Sequence, residues 1–380
     1  MAAAGYHATM SYRLQRDESL PAGVRRIAHE LIEEAVGLLD APGDDIESAV
    51  HQVRKNCKML RGLVRLVRPG MGDAYGAANV VFRDASRELA SIRDAHALLG
   101  TFDDFVAATG ATASELRGVD ARPPGDALLQ VRRGLAARAT AASEAFAEGD
   151  ARIVAARELL VGGRDQISGW PLEEAVGVME GGIAKTYRRG RKRMHECMTR
   201  PTDERLHQWR KRVKYSWYHA RLLRDAAPSV LKPLIGRLHD LSDALGDDHD
   251  LAVLAGQLRA DPGDFGGDDA VGATVRVVEL VRDDLQQRAL RLGSRLYAEP
   301  PEAFAARLVA YWTAWQEHGD EWAAGEIADL APTTDDLDER SVRQLYGIAR
   351  DLEVPGRSAM DREELISSIR AAGWAESVAT

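Results

Sequence analysis

An internal repeat is the feature of this 380-residue chain that most constrains its fold. A shift of 156 residues, without a gap, aligns residues 51–98 with residues 207–254 and gives thirteen identities in 48 positions. Unrelated sequences would share about three at common residue frequencies. Because the register never slips, an internal duplication is the simplest explanation, and it predicts two halves with one architecture.

The second constraint is the distribution of charge, since the formal net charge of −9 hides two basic segments. Residues 51–68 carry six cations and no acid, and residues 185–224 carry fourteen Lys and Arg against three acids. The remaining 322 residues therefore carry −26. Taken alone, the net charge argues against a polyanion partner, but segregation of this kind creates a local positive field that could bind one.

Nearly every segment of the chain has a helical pattern, so we predict an all-α fold. Ala, Leu, Arg and Glu dominate, β-branched runs are missing, and Val24–Leu39 has the apolar spacing of an amphipathic helix. Asp44 and Thr202 are predicted N-caps of the two basic helices. Breaks are expected at the Pro and Gly positions Pro42-Gly43, Pro69-Gly70, Pro123-Pro124, Gly162-Gly163, Pro201, Pro228, Pro262-Gly263 and Pro300-Pro301.

Short connections between these helices favour antiparallel bundles. We expect a domain over residues 10–325, made of a first half (10–160) and a second half (170–325) related by a pseudo-twofold axis. A small helical module is predicted over residues 335–375, with helices at Glu339–Leu352 and Asp361–Ala371. In the latter, Asp361-x-x-Glu364 has the capping-box pattern.

The repeated basic segments place their cations on one side of a helix. His51, Arg54, Lys55, Lys58, Arg65 and Arg68 gather there at 100° per residue, and the second copy repeats the pattern from His207 to Arg224. Like charges four residues apart destabilise a helix by about 0.2–0.5 kcal/mol per pair. We therefore expect compensation, either from acids of neighbouring helices or from an anionic ligand; a solvated basic face is the simpler alternative.

The arrangement of these motifs resembles the CHAD domain (conserved histidine α-helical domain). The H-x-x-R-K-x-x-K motif opens a basic helix in both copies, and Ser91–Ala95 and Leu245–Leu254 resemble the second signature of that family. The resemblance covers roughly residues 10–320. It implies two duplicated four-helix-bundle halves around a basic pore, and binding of inorganic polyphosphate.

The resemblance and the basic runs together give fourteen candidate polyphosphate-binding residues. Those that match the family motif are His51, Arg54, Lys55, Lys58, Arg65, His207, Arg210, Lys211, Lys214 and Arg221. Arg61 belongs to the first basic segment, while Arg188, Arg189 and Lys192 come from a third basic run on the preceding helix. Two departures stand out: Met59 and Tyr215 occupy positions where relatives often have Arg, and Trp217 replaces Arg61 in the second copy, which predicts a weaker grip there.

Asp94 and Asp250 are predicted to orient the basic residues, because each is retained in its copy of the repeat. The strongest enzymatic alternative is a metal-dependent phosphohydrolase that uses the acidic and histidine cluster from His239 to Asp250. We weigh it lower, because His239 and His249 align with Arg83 and Arg93. No nucleotide-binding loop, no serine-nucleophile motif and no E-x-E-x-K signature occurs, so we predict a non-catalytic protein without a metal or cofactor.

A third class, a nucleic-acid-binding scaffold, would use the same basic faces. The C-terminal module resembles SAP-like and Rho N-terminal-like helical modules, but residues 333–380 hold six Arg and ten acids, the wrong sign for nucleic acid. A protein or nucleic-acid partner of this module is left open. Two cysteines and no long apolar run predict a cytoplasmic protein without a membrane partner, with association to polyphosphate granules as an option.

Overall fold

The described part of the chain is all-α, as predicted. The computed structural model describes residues 12–42, 46–112, 125–144, 150–172, 176–319, 342–352 and 360–371, with residues 337, 354 and 357. Every regular element in these ranges is a helix. The α-helices are α1 (Leu20–Asp40), α2 (Ile46–Leu66), α3 (Ala74–Glu88), α4 (Ala90–Thr112), α5 (Gly125–Glu144), α6 (Ala151–Asp165), α7 (Val176–Thr199), α8 (Asp203–Leu222), α9 (Pro228–Ala260), α10 (Gly267–Leu296), α11 (Pro301–His318), α12 (Val342–Asp351) and α13 (Arg362–Ala371).

Several helix ends lie where capping chemistry predicts them. Thr202 caps α8, since its side-chain oxygen accepts a hydrogen bond from Arg205 N at 3.3 Å. Helix α2 ends at Leu66, just before Pro69-Gly70, and α11 begins at Pro301. The predicted cap Asp44 lies outside the described residues.

One predicted break is wrong: Gly162 and Gly163 lie inside α6. A Cβ on Gly163 would come within 2.9 Å of Val81 Cγ1 on α3. The glycine therefore lets α6 pack closely on α3 and does not end the helix.

The described helices divide into two compact units that take segments from both predicted halves. The first unit contains the described residues of 1–94, 142–242 and 290–320, and the second those of 95–141, 243–289 and 321–371. Helices α9 and α10 contribute to both. The predicted halves, the pore and the domain boundaries at 325 and 335 stay predictions.

In the first unit, the two basic helices are in direct contact. Helix α2 packs against α1, α3, α7 and α8, and α8 also packs against α7. At the crossing, buried His219 of α8 donates from Nε2 to Gly62 O of α2 at 3.1 Å. A Cβ at Gly62 would lie 2.9 Å from the Tyr218 ring, so the missing side chain permits the close approach.

The second unit contains a buried ion pair and a small C-terminal core. Asp248, which is 1% exposed, accepts from Arg282 Nε at 3.1 Å and from Gln286 Nε2 at 2.8 Å. Helices α12 and α13 pack together around an apolar cluster formed by Leu337, Leu345, Ala349, Val354, Leu365, Ile366 and Ile369.

The predicted capping box of the last helix is confirmed. Asp361 Oδ1 accepts from the backbone N–H groups of Glu363 and Glu364, and the Glu364 carboxylate accepts from Asp361 N, all at 2.9 Å. The resemblance of the module to SAP-like domains stays a prediction.

Candidate functional site

Amphipathicity explains why the predicted cations stand on α2 and α8. Both helices bury an apolar face, with Val53, Leu60 and Leu63 on α2 and Trp209 and Val213 on α8. The long basic side chains occupy the rest of each circumference. His51, Arg54, Lys55, Lys58, Arg61 and Arg65 lie on α2; His207, Arg210, Lys211, Lys214 and Arg221 lie on α8; and Arg188, Arg189 and Lys192 lie on α7.

Two arginines, one from each helix, lie near one buried aromatic ring, and the charges of two further cations act on this pair or on one another. We call Arg61 and Arg65 of α2, Lys211 and Arg212 of α8 and the ring of Tyr215 the Tyr215 cluster. Arg65 Cζ lies 4.0 Å from the centroid of the Tyr215 ring, and Arg212 Cζ lies 5.9 Å from it. An aromatic face attracts a guanidinium group and does not neutralise its charge.

The pKa values in the Tyr215 cluster show that its charges act on one another. Burial is the largest cause that lowers the pKa of Lys211, and the charges of Arg212, Arg61 and Arg193 lower it further, while Glu204 opposes them. Burial also lowers the pKa values of the Arg65 and Arg212 guanidinium groups. Both groups stay protonated at neutral pH, since a guanidinium does not deprotonate in proteins.

Neutral acceptors hold the two arginines of α2. Asn79 Oδ1 on α3 accepts from Arg61 Nε at 3.2 Å and from Arg65 Nη2 at 2.8 Å, while Arg65 Nη1 donates to Arg61 O at 2.6 Å. Within the described ranges, Arg61 and Arg65 form no ion pair with a carboxylate. The side chains are therefore oriented by neutral acceptors and not by an ion pair with a carboxylate of the described residues.

A second group of cations surrounds Trp217, and we call Lys214, Trp217, Arg221 and His239 the Trp217 cluster. Arg221 Cζ lies 4.8 Å and Lys214 Nζ 5.7 Å from the Trp217 ring centroid. The His239 ring of α9 stands edge-on to the indole at 5.1 Å. Trp217 occupies the repeat position of Arg61, so an aromatic ring stands here in place of a charge.

Helix α7 adds cations to the Tyr215 cluster. The charge of Arg68 is the main cause of the lowered pKa of Lys185, with burial, Arg189 and Arg188 as smaller causes. Arg189 and Arg193 also lower the pKa of Arg212, for which burial is the main cause. Lys185 and Arg189 thus extend the positive field of α2 and α8 along α7, whereas Arg193 is paired with Glu196.

The other two predicted residues of α7 line a different surface. Exposed Arg188 pairs with Glu302 of α11. With Lys192 and His195 it borders an open depression of about 570 Å³ at the start of α11. Arg188 and Lys192 therefore lie beside an acid, unlike Arg61 and Arg65.

The described residues do not test the two predicted orienting acids. The side chain of Asp94 lies outside the described residues, and Asp250 belongs to the part of α9 in the second unit. Their orienting role stays a prediction.

Three residues of the alternative metal site have contacts with other side chains. His239 packs against Trp217, Asp240 accepts from Arg237 at 3.3 Å, and Asp248 accepts from Arg282. Across the described ranges, no group of three or more His, Cys, Asp or Glu side chains has an arrangement that could hold a metal ion.

Three residues of the Tyr215 cluster and its support are absent from the sequence-based set. Arg212 aligns with buried Asn56 in the repeat, so the duplication gave no signal for it. Tyr215 was noted only as a departure from the family motif, and Asn79 lies on a helix without a basic pattern. Of the three, only Tyr215 is indicated by the sequence, because it occupies a position where relatives often have Arg.

Comparison with known proteins gives one informative match. A family model described as CHAD domain matches residues 24–259. That range includes α2, α7 and α8, and thus every candidate phosphate-binding residue. A search of curated proteins finds no match. No helix in the described ranges combines the length and apolar character that a membrane span requires.

Proposed function

We propose, from the premise that this chain belongs to the CHAD domain family, that it binds inorganic polyphosphate without hydrolysing it. The family is associated with polyphosphate-related proteins. The proposal that α2, α7 and α8 bind the phosphate chain depends on the charges of this molecule.

The observation that carries the proposal is the Tyr215 cluster. Burial and neighbouring positive charges lower the pKa values of Arg65, Lys211 and Arg212, yet Arg61 and Arg65 have only neutral hydrogen-bond acceptors within the described ranges. Holding like charges together costs free energy unless an anion compensates them. A chain of phosphates supplies one negative charge per unit, and arginine forks with lysine point charges bind it without fixing its register.

Charge reversal in the two repeated motifs tests the proposal. We expect Arg54, Lys58, Arg210 and Lys214, all changed to Glu, to abolish binding of long-chain polyphosphate while circular dichroism shows unchanged helicity. The matched control changes four exposed arginines outside the basic segments to Glu: Arg133, Arg276, Arg291 and Arg295. Net charge falls equally in both variants, so retained binding by the control assigns the loss to the motifs.

Three outcomes would contradict the proposal. Undiminished polyphosphate binding by the four-residue variant would remove the basic helices from the site. Release of phosphate from polyphosphate or nucleotides with Mg²⁺ or Mn²⁺, lost when Asp247 and Asp250 are changed, would establish a hydrolase. Preferential retention of duplex DNA would favour a nucleic-acid-binding scaffold.

A further inference from the structure

We infer that Asn79 is a positioning residue, which orients Arg61 and Arg65 toward a phosphate chain through a neutral acceptor and not through a carboxylate. The inference rests on the proposed function and adds to it a residue of α3, outside the basic segments. Its basis is the hydrogen-bond pattern of the Tyr215 cluster.

One amide oxygen serves both arginines. Asn79 Oδ1 accepts from Arg61 Nε at 3.2 Å and from Arg65 Nη2 at 2.8 Å. An amide oxygen has two lone pairs and can accept both bonds. The two arginines are one helical turn apart on α2, so this shared acceptor sets the orientation of both.

The support is neutral although an acid is close by. Asp84, also on α3, lies near enough for Arg61 to contribute to the lowering of its pKa, but the bond from Arg83 is the main cause of that lowering. Its two oxygens accept from Arg83 Nε at 2.7 Å and from Arg83 Nη2 at 2.9 Å. The carboxylate is thus bound to Arg83, and Asn79 is the side chain that holds Arg61.

The partial burial of Arg65 strengthens the interaction that an oriented guanidinium group can make with a phosphate. Arg65 lies between the Asn79 amide and the Tyr215 ring, and its pKa is lowered mainly by desolvation. A buried guanidinium without a carboxylate gains more from a phosphate than an exposed one, because water screens it less. The second copy lacks this acceptor and its arginine donor, since Ile235 aligns with Asn79 and Trp217 aligns with Arg61.

Replacement of Asn79 by aspartate, which has the same shape but a negative charge, tests the inference. Asn79→Asp keeps an oxygen that accepts the two hydrogen bonds but gives both arginines a carboxylate partner. We expect affinity for long-chain inorganic polyphosphate to fall about tenfold, since a charge-assisted bond to phosphate is lost. The slope of log affinity against log salt should shrink in magnitude by about 0.7, the value for one phosphate fewer. The melting temperature should stay level or rise.

Two further variants complete the experiment. Ala77→Asp adds the same charge to an exposed position on the opposite side of α3, and we expect it to change affinity less than about twofold. Asn79→Ala removes the acceptor, and we expect an affinity loss of about threefold with the salt slope of the unchanged protein.

The results separate three cases. Equal affinities of Asn79→Asp and Ala77→Asp would overturn the inference, as would a loss of affinity that follows a fall in melting temperature with no change in slope. If the unchanged protein itself fails to bind polyphosphate, the proposed function falls, and this inference with it.

Discussion

The Tyr215 cluster joins α2 and α8, whereas the Trp217 cluster joins α8 and α9, and the two clusters differ in how they hold positive charge. In the Tyr215 cluster, Arg61 and Arg65 are held by an amide oxygen and an aromatic face. In the Trp217 cluster, an indole stands at the position of Arg61. A neutral hydrogen-bond acceptor leaves the positive charge of Arg61 and Arg65 available to an anionic ligand. An aromatic residue at the position of Arg61 removes one positive charge from the second copy.

The two basic helices also differ in the partners of the arginine that follows each helix end. Arg68, beyond α2, packs on the Tyr75 ring at 4.4 Å, and its charge lowers the pKa of Lys185. Arg224, the matching residue beyond α8, lies 3.5 Å from Asp225, which also pairs with Arg13 at 3.0 Å. A carboxylate therefore offsets charge beside the Trp217 cluster. We expect the Tyr215 cluster to supply the larger share of phosphate affinity.

The largest expected effect comes from reversing two charges in one cluster at a time. Arg61→Glu with Arg65→Glu should weaken polyphosphate binding by about a hundredfold or more, because two charge-assisted bonds become repulsive. Lys214→Glu with Arg221→Glu should cost about tenfold. Calorimetric titration of both variants measures the ranking, and equal or inverted losses would refute the stated difference between the clusters.

The second prediction concerns the contact of His219 with Gly62, which joins the two basic helices α8 and α2. Burial lowers the pKa of His219 to about 4, against an ordinary value of 6.5, so the folded protein holds it neutral. Between these values the unfolded chain binds a proton that the folded protein excludes. The contribution of neutral His219 to the free energy of unfolding is therefore fully present above pH 6.5. It is lost as the pH falls toward 4, by up to roughly 3 kcal/mol.

Denaturant unfolding at pH 7 and pH 4.5 measures this loss. His219→Gln retains an N–H donor for Gly62 O but cannot titrate, so its free energy of unfolding should depend less on pH than that of the unchanged protein. Identical pH dependence in the two proteins would show that His219 does not carry the effect.

The smallest expected effect comes from a substitution that makes the two clusters more alike. Trp217→Arg restores the residue of the first copy, beside Lys214 and Arg221. We expect a gain in polyphosphate affinity of about threefold and a steeper salt slope by about 0.7, since one more phosphate is neutralised. A slope that stays constant, measured by titration at several salt concentrations, would mean that position 217 does not face the phosphate chain.

The sequence predicts much of this molecule because its signals are local. Apolar spacing and prolines predict the helices, and Asp361 and Glu364 predict their own capping box, which lies within four residues. The duplication predicts that α2 and α8 carry related cations. The Gly162-Gly163 pair wrongly predicts a break, because Gly163 makes a packing contact with Val81 of α3, which is distant in sequence.

The composition of the cluster could not be predicted in the same way. Which faces of α2 and α8 meet depends on Gly62, Tyr218 and His219, whose contacts span more than 150 residues. Arg212 joins the cluster only through that packing, and Asn79 only through the packing of α3 on α2. These are tertiary relations that neither periodicity nor the repeat encodes.

The most direct test of the central claim is the salt dependence of polyphosphate binding by the unchanged protein. If the four cations of the Tyr215 cluster each neutralise one phosphate, log affinity should fall against log salt with a slope of about −3 or steeper. We predict saturable binding with such a slope. Absence of saturable binding at low salt, or a slope near zero, would contradict the account.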